Sequence, residues 1–97
     1  MIGYGFVPPT THPLFLPNEK SPTWQILDRF LSVDQREEKV RYEDGEEYVV
    51  HYASDTSKKR NEWATRKLGK PIYGTVILSK NGGKLTDEEF GKIRMVG

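Results

Sequence analysis

Few side chains in this sequence could do chemistry, and most lack partners at a useful spacing. The two histidines, His12 and His51, have no Ser, Cys or His close in sequence, so a nucleophilic pair could only come from elsewhere in the fold. We expect both to be structural or solvated. Adjacent carboxylates on a strand point to opposite faces, so we interpret these pairs as solubilising charges or, in the last case, as part of a helix start: Glu37 with Glu38, Glu46 with Glu47, and Glu88 with Glu89.

Metal, cofactor and thiol chemistry is also poorly supported. Cysteine is absent, which excludes disulfides, thiolate metal sites and cysteine nucleophiles. No set of His, Asp or Glu shows metal-ligand spacing. The segment 83–86, GKLT, lacks the Ser or Thr directly after Lys84 that a phosphate-binding loop requires, and Leu78 stands where that loop has its first Gly. We therefore expect no metal, no small-molecule cofactor and no enzymatic activity.

The cluster that indicates a function is basic. Six bases against one acid lie between residues 58 and 70, with Trp63 among them. Lys and Arg beside an aromatic ring are typical of a surface that contacts phosphates and stacks on a base. About five phosphate contacts would give a salt slope of about −4.5. The residues predicted to bind a partner here are Lys58, Lys59, Arg60, Arg66 and Lys67.

An acidic protein surface would explain this cluster equally well. The net charge is only +1, because seven acids against three bases lie between residues 34 and 47 and offset the field at long range. We expect Trp63 to pack against the sheet rather than to stack on a base, because the helix predicted around it has few other apolar residues. We therefore favour a protein partner and keep nucleic acid as the alternative.

The elements that must position these charges follow from caps and breakers. The segment Ser54–Ser57 offers several N-caps for a helix that runs to about Leu68. Gly69 and Pro71 end that helix, and an apolar strand, Ile72–Ser79, follows it. The basic residues from Lys58 onward are thus predicted to lie on one helix.

A hairpin over Glu38–Tyr52 precedes that helix, with Asp44-Gly45 at its tip. Two registers are possible. A two-residue loop opposes Val40 to Val49 and scatters the tyrosines, whereas a three-residue loop opposes Val40 to Tyr48. We prefer the second register because it places these residues on one face: Val40, Tyr42, Tyr48, Val50 and Tyr52.

The N-terminal third combines a strand, a proline-rich arm and a helix. Ile2–Val7 is predicted to be a strand whose two glycines, Gly3 and Gly5, allow another backbone or a bulky ring to come close. Residues 8–21 read as a proline-rich loop. Its triplet 14–16, LFL, is expected to fold back onto the core. If it is exposed, Leu14 and Phe15 are candidates for partner binding.

Ser21-Pro22 is a good start for the helix that follows the arm. The helix should run to about Ser32 or Val33. Its apolar stripe, in which Trp24 is expected to be core, comprises Trp24, Ile26, Leu27, Phe30 and Leu31.

The resulting order is β-α-β-β-α-β-α. The last helix runs from Asp87 to about Arg94, behind a capping box of Thr86 and Glu89. This order predicts a single α+β domain over residues 1–97, with a small mixed or antiparallel sheet and helices mainly on one face. No apolar run approaches the ~18 residues of a membrane span, and the first residues lack the pattern of a signal peptide. We expect a soluble cytoplasmic protein with no membrane partner.

Three short patterns carry a resemblance to a known family. They are Asn61-Glu62-x-Ala64-Thr65, the segment 72–76, IYGTV, and the segment 83–89, GKLTDEE. Together with the helix before them, these patterns resemble a family of small uncharacterised proteins encoded by bacteriophages and mobile elements. The family has no assigned catalytic residues. The resemblance implies a phage setting, in which such a protein binds and modulates a host protein. The proline-rich arm and the KKR run at residues 58–60 depart from the family pattern.

Overall fold

Six strands and three helices make up the described part of the chain. The computed structural model describes residues 2–10, 12–18, 20–31, 34–41, 47–80 and 83–95. The elements, in chain order, are β1 Ile2–Val7, β2 Leu14–Pro17, α1 Thr23–Phe30, β3 Gln35–Arg41, β4 Glu47–Ala53, α2 Glu62–Leu68, β5 Val76–Lys80, β6 Leu85–Thr86 and α3 Asp87–Met95. The fold is therefore α+β, as predicted.

The strands form one sheet in the order β2-β1-β5-β4-β3, and β6 pairs with β1. Every pairing among the described strands is antiparallel. The hairpin of β3 and β4 opposes Val40 to Tyr48, so the preferred register is confirmed. Tyr42 and the tip of the hairpin lie outside the described residues.

Both faces of the sheet are covered, because side chains alternate along each strand. One face carries the larger core and contacts α2 and α3; its fully buried members are Val7, Tyr48, Val50, Ala64, Ile72, Val76, Leu78, Leu85, Phe90 and Ile93. The other face carries a smaller core beneath α1, with Tyr4, Ile26, Leu31 and Ile77. Two of the three helices thus share one face.

The two glycines of β1 allow close packing, as the sequence indicated. A Cβ atom on Gly3 would lie 2.0 Å from the carbonyl oxygen of Leu16 in β2. A Cβ atom on Gly5 would lie 2.8 Å from both Leu78 and the ring of Phe90. β1 can therefore lie between its neighbours only because these positions have no side chain.

The proline-rich arm is not simply a loop, since Leu14–Pro17 pairs with β1 as an edge strand. The residues of its triplet differ in how deeply they are buried. Phe15 is half-buried and its ring lies 5.8 Å from that of Phe90, whereas Leu14 is 56% exposed. The expectation that the triplet folds onto the core is correct for Phe15 and wrong for Leu14.

The prediction that Trp24 belongs to the core is wrong, because its side chain is 62% exposed. Trp24 lies two residues before the buried Ile26, which places it about 200° away around the helix. The helix also starts later than predicted. Its N-cap is Pro22, which makes no side-chain cap, and Ser21 lies outside it.

The start of α2 differs most from the sequence expectation. Asn61, not a residue of the segment Ser54–Ser57, is the N-cap, and its side chain accepts from the Ala64 N–H at 3.0 Å. The same side chain is buried and donates to the carbonyl oxygens of Val7 at 3.0 Å and Gly74 at 2.9 Å. All three of these hydrogen bonds go to backbone groups, so one side chain joins three separate segments of the chain.

The other helix boundaries follow the sequence signals. Gly69 ends α2 at φ 69°, where its N–H donates to the Thr65 carbonyl at 2.9 Å. The capping box of α3 is formed, since the Glu89 N–H donates to Thr86 Oγ1 and the Thr86 N–H donates to Glu89 Oε1. The predicted strand Ile72–Ser79 is shorter than expected, because Gly74 turns the backbone at φ 79° and β5 begins after it. No helix of the described chain is long and apolar enough to cross a membrane.

Replacing Asn61 tests this anchor. Asn61→Ala should lower the free energy of unfolding by about 2–4 kcal/mol, because a helix cap and two buried carbonyl partners are lost together. Asn61→Asp keeps the cap but replaces the donor with a buried carboxylate, so its loss should be at least as large at pH 7 and smaller at pH 4, where the protonated acid can donate one hydrogen bond. Urea unfolding measures both variants.

The control is Glu62→Gln, an exposed neighbour that gives up only its ion pair with Arg60 and a first-turn charge, so its replacement should change stability by less than about 1 kcal/mol. Equal stability of the wild type and Asn61→Ala would contradict the role given to this side chain.

Candidate functional site

The predicted basic residues do not lie on one helix. Only Arg66 and Lys67 belong to α2, whereas Lys58, Lys59 and Arg60 precede it in an exposed segment. This part of the prediction is wrong because Asn61, rather than an earlier residue, caps the helix. Backbone contacts hold the segment in place: the Gly74 N–H donates to the Lys59 carbonyl at 2.7 Å, and Arg60 forms a bridge with Tyr73.

Two hollows adjoin these residues and meet at Pro9. The first, of about 220 Å³, is bordered by Lys58 and Lys59 and is called the lysine hollow below. The second, of about 420 Å³, lies between the residues after β1 and the start of α2, and Arg66 lines it. Since Pro9 lines both hollows, the structure brings the two halves of the predicted basic cluster to one region of the surface. We call Lys58, Lys59, Arg60 and Arg66 the basic surface.

Most charges of the basic surface are not neutralised by the protein itself. Arg60 Nε lies 3.3 Å from the exposed carboxylate of Glu62. Among the residues that the structure describes, no ion pair within 4.0 Å involves Lys58, Lys59 or Arg66. Their side chains are exposed. No carboxylate of the described residues pairs directly with these three charges, although that of Asp55 attracts Lys58 at longer range, so the three are available to a partner.

Two of the other candidates, Lys67 and Phe15, have structural contacts, and the third, Leu14, has an exposed side chain. The Nζ atom of Lys67 lies 5.3 Å from the centre of the Trp63 ring, and burial, together with the charge of Arg66, lowers its pKa. Phe15 packs on the core. Leu14 remains exposed and follows Pro13, which lines the second hollow.

Lys70 is also structural. Its Nζ atom lies 2.6 Å from Glu38 Oε2, which ties the residues after α2 to β3. The hydrogen bond from Lys70 lowers the pKa of the Glu38 carboxyl, and that carboxyl in turn raises the pKa of Lys70.

Trp63 is part of the fold rather than a stacking platform. Its side chain is half-buried and packs against the larger core, as the packing interpretation predicted. The indole Nε1 atom is buried without a hydrogen-bond partner, so the polar edge of the ring also faces inward. The exposed part of Trp63 lines the second hollow, and the Nζ atom of Lys67 lies 5.3 Å from the centre of its ring, where a stacked base would compete with it.

The structure also brings together a pair that the sequence did not reveal. His51 Nε2 lies 2.8 Å from Ser79 Oγ, and both side chains are buried, with 7% and 3% exposure. Glu37 Oε2 lies 3.8 Å from His51 Nδ1. A hollow of about 320 Å³ reaches all three residues. Serine, histidine and carboxylate thus occur in the order used in nucleophilic catalysis.

The geometry of this trio is structural in character. A separation of 3.8 Å is too long for a hydrogen bond, and the Glu37 side chain is 67% exposed, so it does not hold the imidazole as a buried carboxylate would. Ser79 lies within the regular pairing of β5 with β4, opposite Val49, rather than on a sharp turn that presents its hydroxyl. His51 and Ser79 form a hydrogen bond with each other beneath α1, so each of these buried side chains has a polar partner.

The alternation pattern of the two strands places His51 and Ser79 on the same face, but it does not predict that they are in contact. His51 and Ser79 each lie one strand period from an apolar residue on the α1 face, Val49 and Ile77. Their contact depends on β4 lying beside β5 in the matching register, and helix α2 separates these strands in the chain. Within the described residues, no group of three or more His, Asp or Glu side chains could hold a metal ion.

No protein-family model, curated protein or solved structure matches this chain. The resemblance to small phage-encoded proteins stays a prediction, and functional assignment depends on the geometry described above.

Burial of His51 predicts a pH dependence of stability. Desolvation lowers its pKa below the ordinary value of 6.5, and the attraction of Glu37 only partly opposes this. As the pH falls below 6.5, the unfolded chain therefore binds a proton that the folded protein does not, and the free energy of unfolding decreases. The slope should be at most about 1.4 kcal/mol per pH unit.

Urea unfolding between pH 7.5 and 5 measures this slope. His51→Gln, which keeps a hydrogen-bonding group near Ser79, should flatten it. The matched control is His12→Gln, because His12 is exposed and its replacement should leave the slope unchanged. An unchanged slope in His51→Gln would refute the assignment.

Proposed function

We propose that this chain is a non-enzymatic binding protein whose basic surface docks on an acidic surface of a protein partner. The observation that carries the proposal is the position of Lys58, Lys59 and Arg66 around Pro9, exposed and without ion pairs among the described residues. Charges of one sign around an uncharged centre speed encounter with a surface of the opposite sign and fix its orientation.

A protein partner fits this surface better than a nucleic acid. The ring that would have stacked on bases, Trp63, is half-buried and packs against the larger core. The hollows between the basic residues are instead lined in part by proline and apolar side chains, which suit side chains of a protein. The low net charge of +1 also supplies little of the long-range attraction that phosphate backbones exploit.

The resemblance to small phage-encoded proteins suggests where the partner would come from. Small charged proteins of bacteriophages commonly bind and redirect a macromolecule of the host. The proposed partner is accordingly a host protein that this chain modulates. Leu14 is exposed and follows Pro13, which lines the second hollow. We therefore include Leu14 as an apolar contact at the margin of the interface.

Affinity capture from bacterial lysate tests the proposal with matched variants. The wild type should retain a stoichiometric protein that Lys58→Glu/Lys59→Glu/Arg66→Glu loses, with affinity weakened by at least about tenfold because each reversal turns an attraction into a repulsion. The control, Lys20→Glu/Arg36→Glu/Lys39→Glu, changes the net charge equally at exposed positions outside the basic surface and should retain the protein.

Two results would overturn the proposal. One is the absence of any stoichiometric protein at gentle salt. The other is a complex that nuclease treatment removes, together with a gel shift at 50 mM salt that the triple variant abolishes and that falls steeply with salt. That outcome would assign the basic surface to nucleic acid.

A further inference from the structure

The lysine hollow has the size of a pocket for one side chain. Its volume of about 220 Å³ lies below the roughly 300–1,000 Å³ of sites for cofactors and drug-sized ligands. Interfaces between proteins commonly place a single apolar anchor in a pocket of this kind and surround it with polar contacts.

The floor of the hollow is apolar and formed in advance. Phe30, 36% exposed, lines the hollow, and its ring makes an edge-to-face contact with Phe6 at 5.1 Å. The Cζ atom of Arg29 lies 5.8 Å from the centre of the same ring. Leu31 lies beside Phe30 and is buried. Tyr73 lines the wall and is held by the backbone bridge to Arg60. An apolar occupant would therefore meet a surface that does not need to reorganise.

The rim of the hollow is basic, and its backbone is fixed. The carbonyl oxygen of Lys59 accepts a hydrogen bond from the Gly74 N–H at 2.7 Å. A Cβ atom on Gly74 would lie 3.2 Å from the Cβ atom of Lys58, so the glycine allows the stem of this lysine to pack against the chain. Lys58 and Lys59 thus line the hollow from a stretch of backbone that is held in place.

One carboxylate, that of Asp55, also lines the hollow. Its Oδ1 atom accepts from the Ser57 N–H at 2.9 Å and from Ser57 Oγ at 2.6 Å, and these bonds lower its pKa. Asp55 is therefore ionised at neutral pH and repels an anion placed in the centre of the hollow. The occupant must be apolar at its centre, with negative charges only toward Lys58 and Lys59.

From these observations we propose that the lysine hollow binds one apolar side chain from an acidic segment of the partner protein, with the flanking carboxylates of that segment paired to Lys58 and Lys59. This inference rests on the proposed function and specifies the partner's recognition sequence: a leucine or phenylalanine between Asp or Glu residues. Charge complementarity gives the orientation, and the filled pocket gives the selectivity.

Fluorescence polarisation with labelled heptapeptides tests the proposal directly. The probes carry six glutamates around a central leucine or phenylalanine, and the same peptide with a central alanine is the reference. At low salt, we expect the apolar centre to improve affinity by about tenfold or more over alanine, since it removes apolar surface of both partners from water. A peptide with lysines around leucine should not bind.

Three variants connect the binding to the hollow. Lys58→Glu/Lys59→Glu should abolish binding, whereas the control Lys20→Glu/Lys39→Glu should not affect it. Phe30→Ala should remove the preference for leucine or phenylalanine over alanine. Asp55→Asn keeps the acceptor for Ser57 but removes the charge, so it should tighten binding of the acidic probes by about two- to fivefold. Because this last variant strengthens binding, it does not depend on a variant that could fail to fold.

The outcomes separate this inference from the proposed function. If the alanine peptide binds as tightly as the leucine peptide, the anchor is wrong, while capture of the host protein by the basic surface is unaffected. If no acidic probe binds at 1 mM, the recognition sequence is also wrong. If a nucleoside triphosphate or a short oligonucleotide binds instead and depends on Lys58 and Lys59, the hollow is a nucleotide site and both proposals fail.

Discussion

The buried side chain of Asn61 is the contact on which the rest of this structure most depends. One amide group joins the start of α2, the end of β1 and the turn before β5 by three hydrogen bonds to backbone atoms. An apolar residue of similar size would remove all three hydrogen bonds, including the cap of the Ala64 N–H, at a net cost of about 0.5–1.5 kcal/mol for each bond. The same contact determines where α2 begins, and thus places Lys58, Lys59 and Arg60 before the helix rather than on it.

The second constraint is that a short chain covers a six-stranded sheet on both faces. The larger core beneath α2 and α3 is continuous and apolar, whereas α1 supplies only Ile26, Leu31 and half-buried neighbours to the other face. A buried polar pair, His51 and Ser79, lies on that second face. Because its two members satisfy each other, the face tolerates polar residues that a helix of eight residues could not otherwise cover.

The candidate surface arises where segments distant in the chain meet. The lysine hollow combines residues after β1, at the end of α1, before α2 and before β5. Each segment contributes a different property: Pro9 and Phe30 are apolar, Lys58 and Lys59 carry charge, and Gly74 permits the close approach of the Lys58 side-chain stem. Selective binding of a protein segment requires this combination, since charge alone would attract any acidic surface.

Local geometry and side-chain alternation were enough to predict the α+β class, the preferred hairpin register, the close approach at Gly3 and Gly5, and the end of α2 at Gly69. The start of α2 could not be predicted in this way, since the competing caps at 54–57 are locally equivalent and the partners of Asn61 are distant in sequence. The exposure of Trp24, the pairing of His51 with Ser79 and the hollow beside Lys58 likewise follow from strand order and helix placement, which local patterns do not encode.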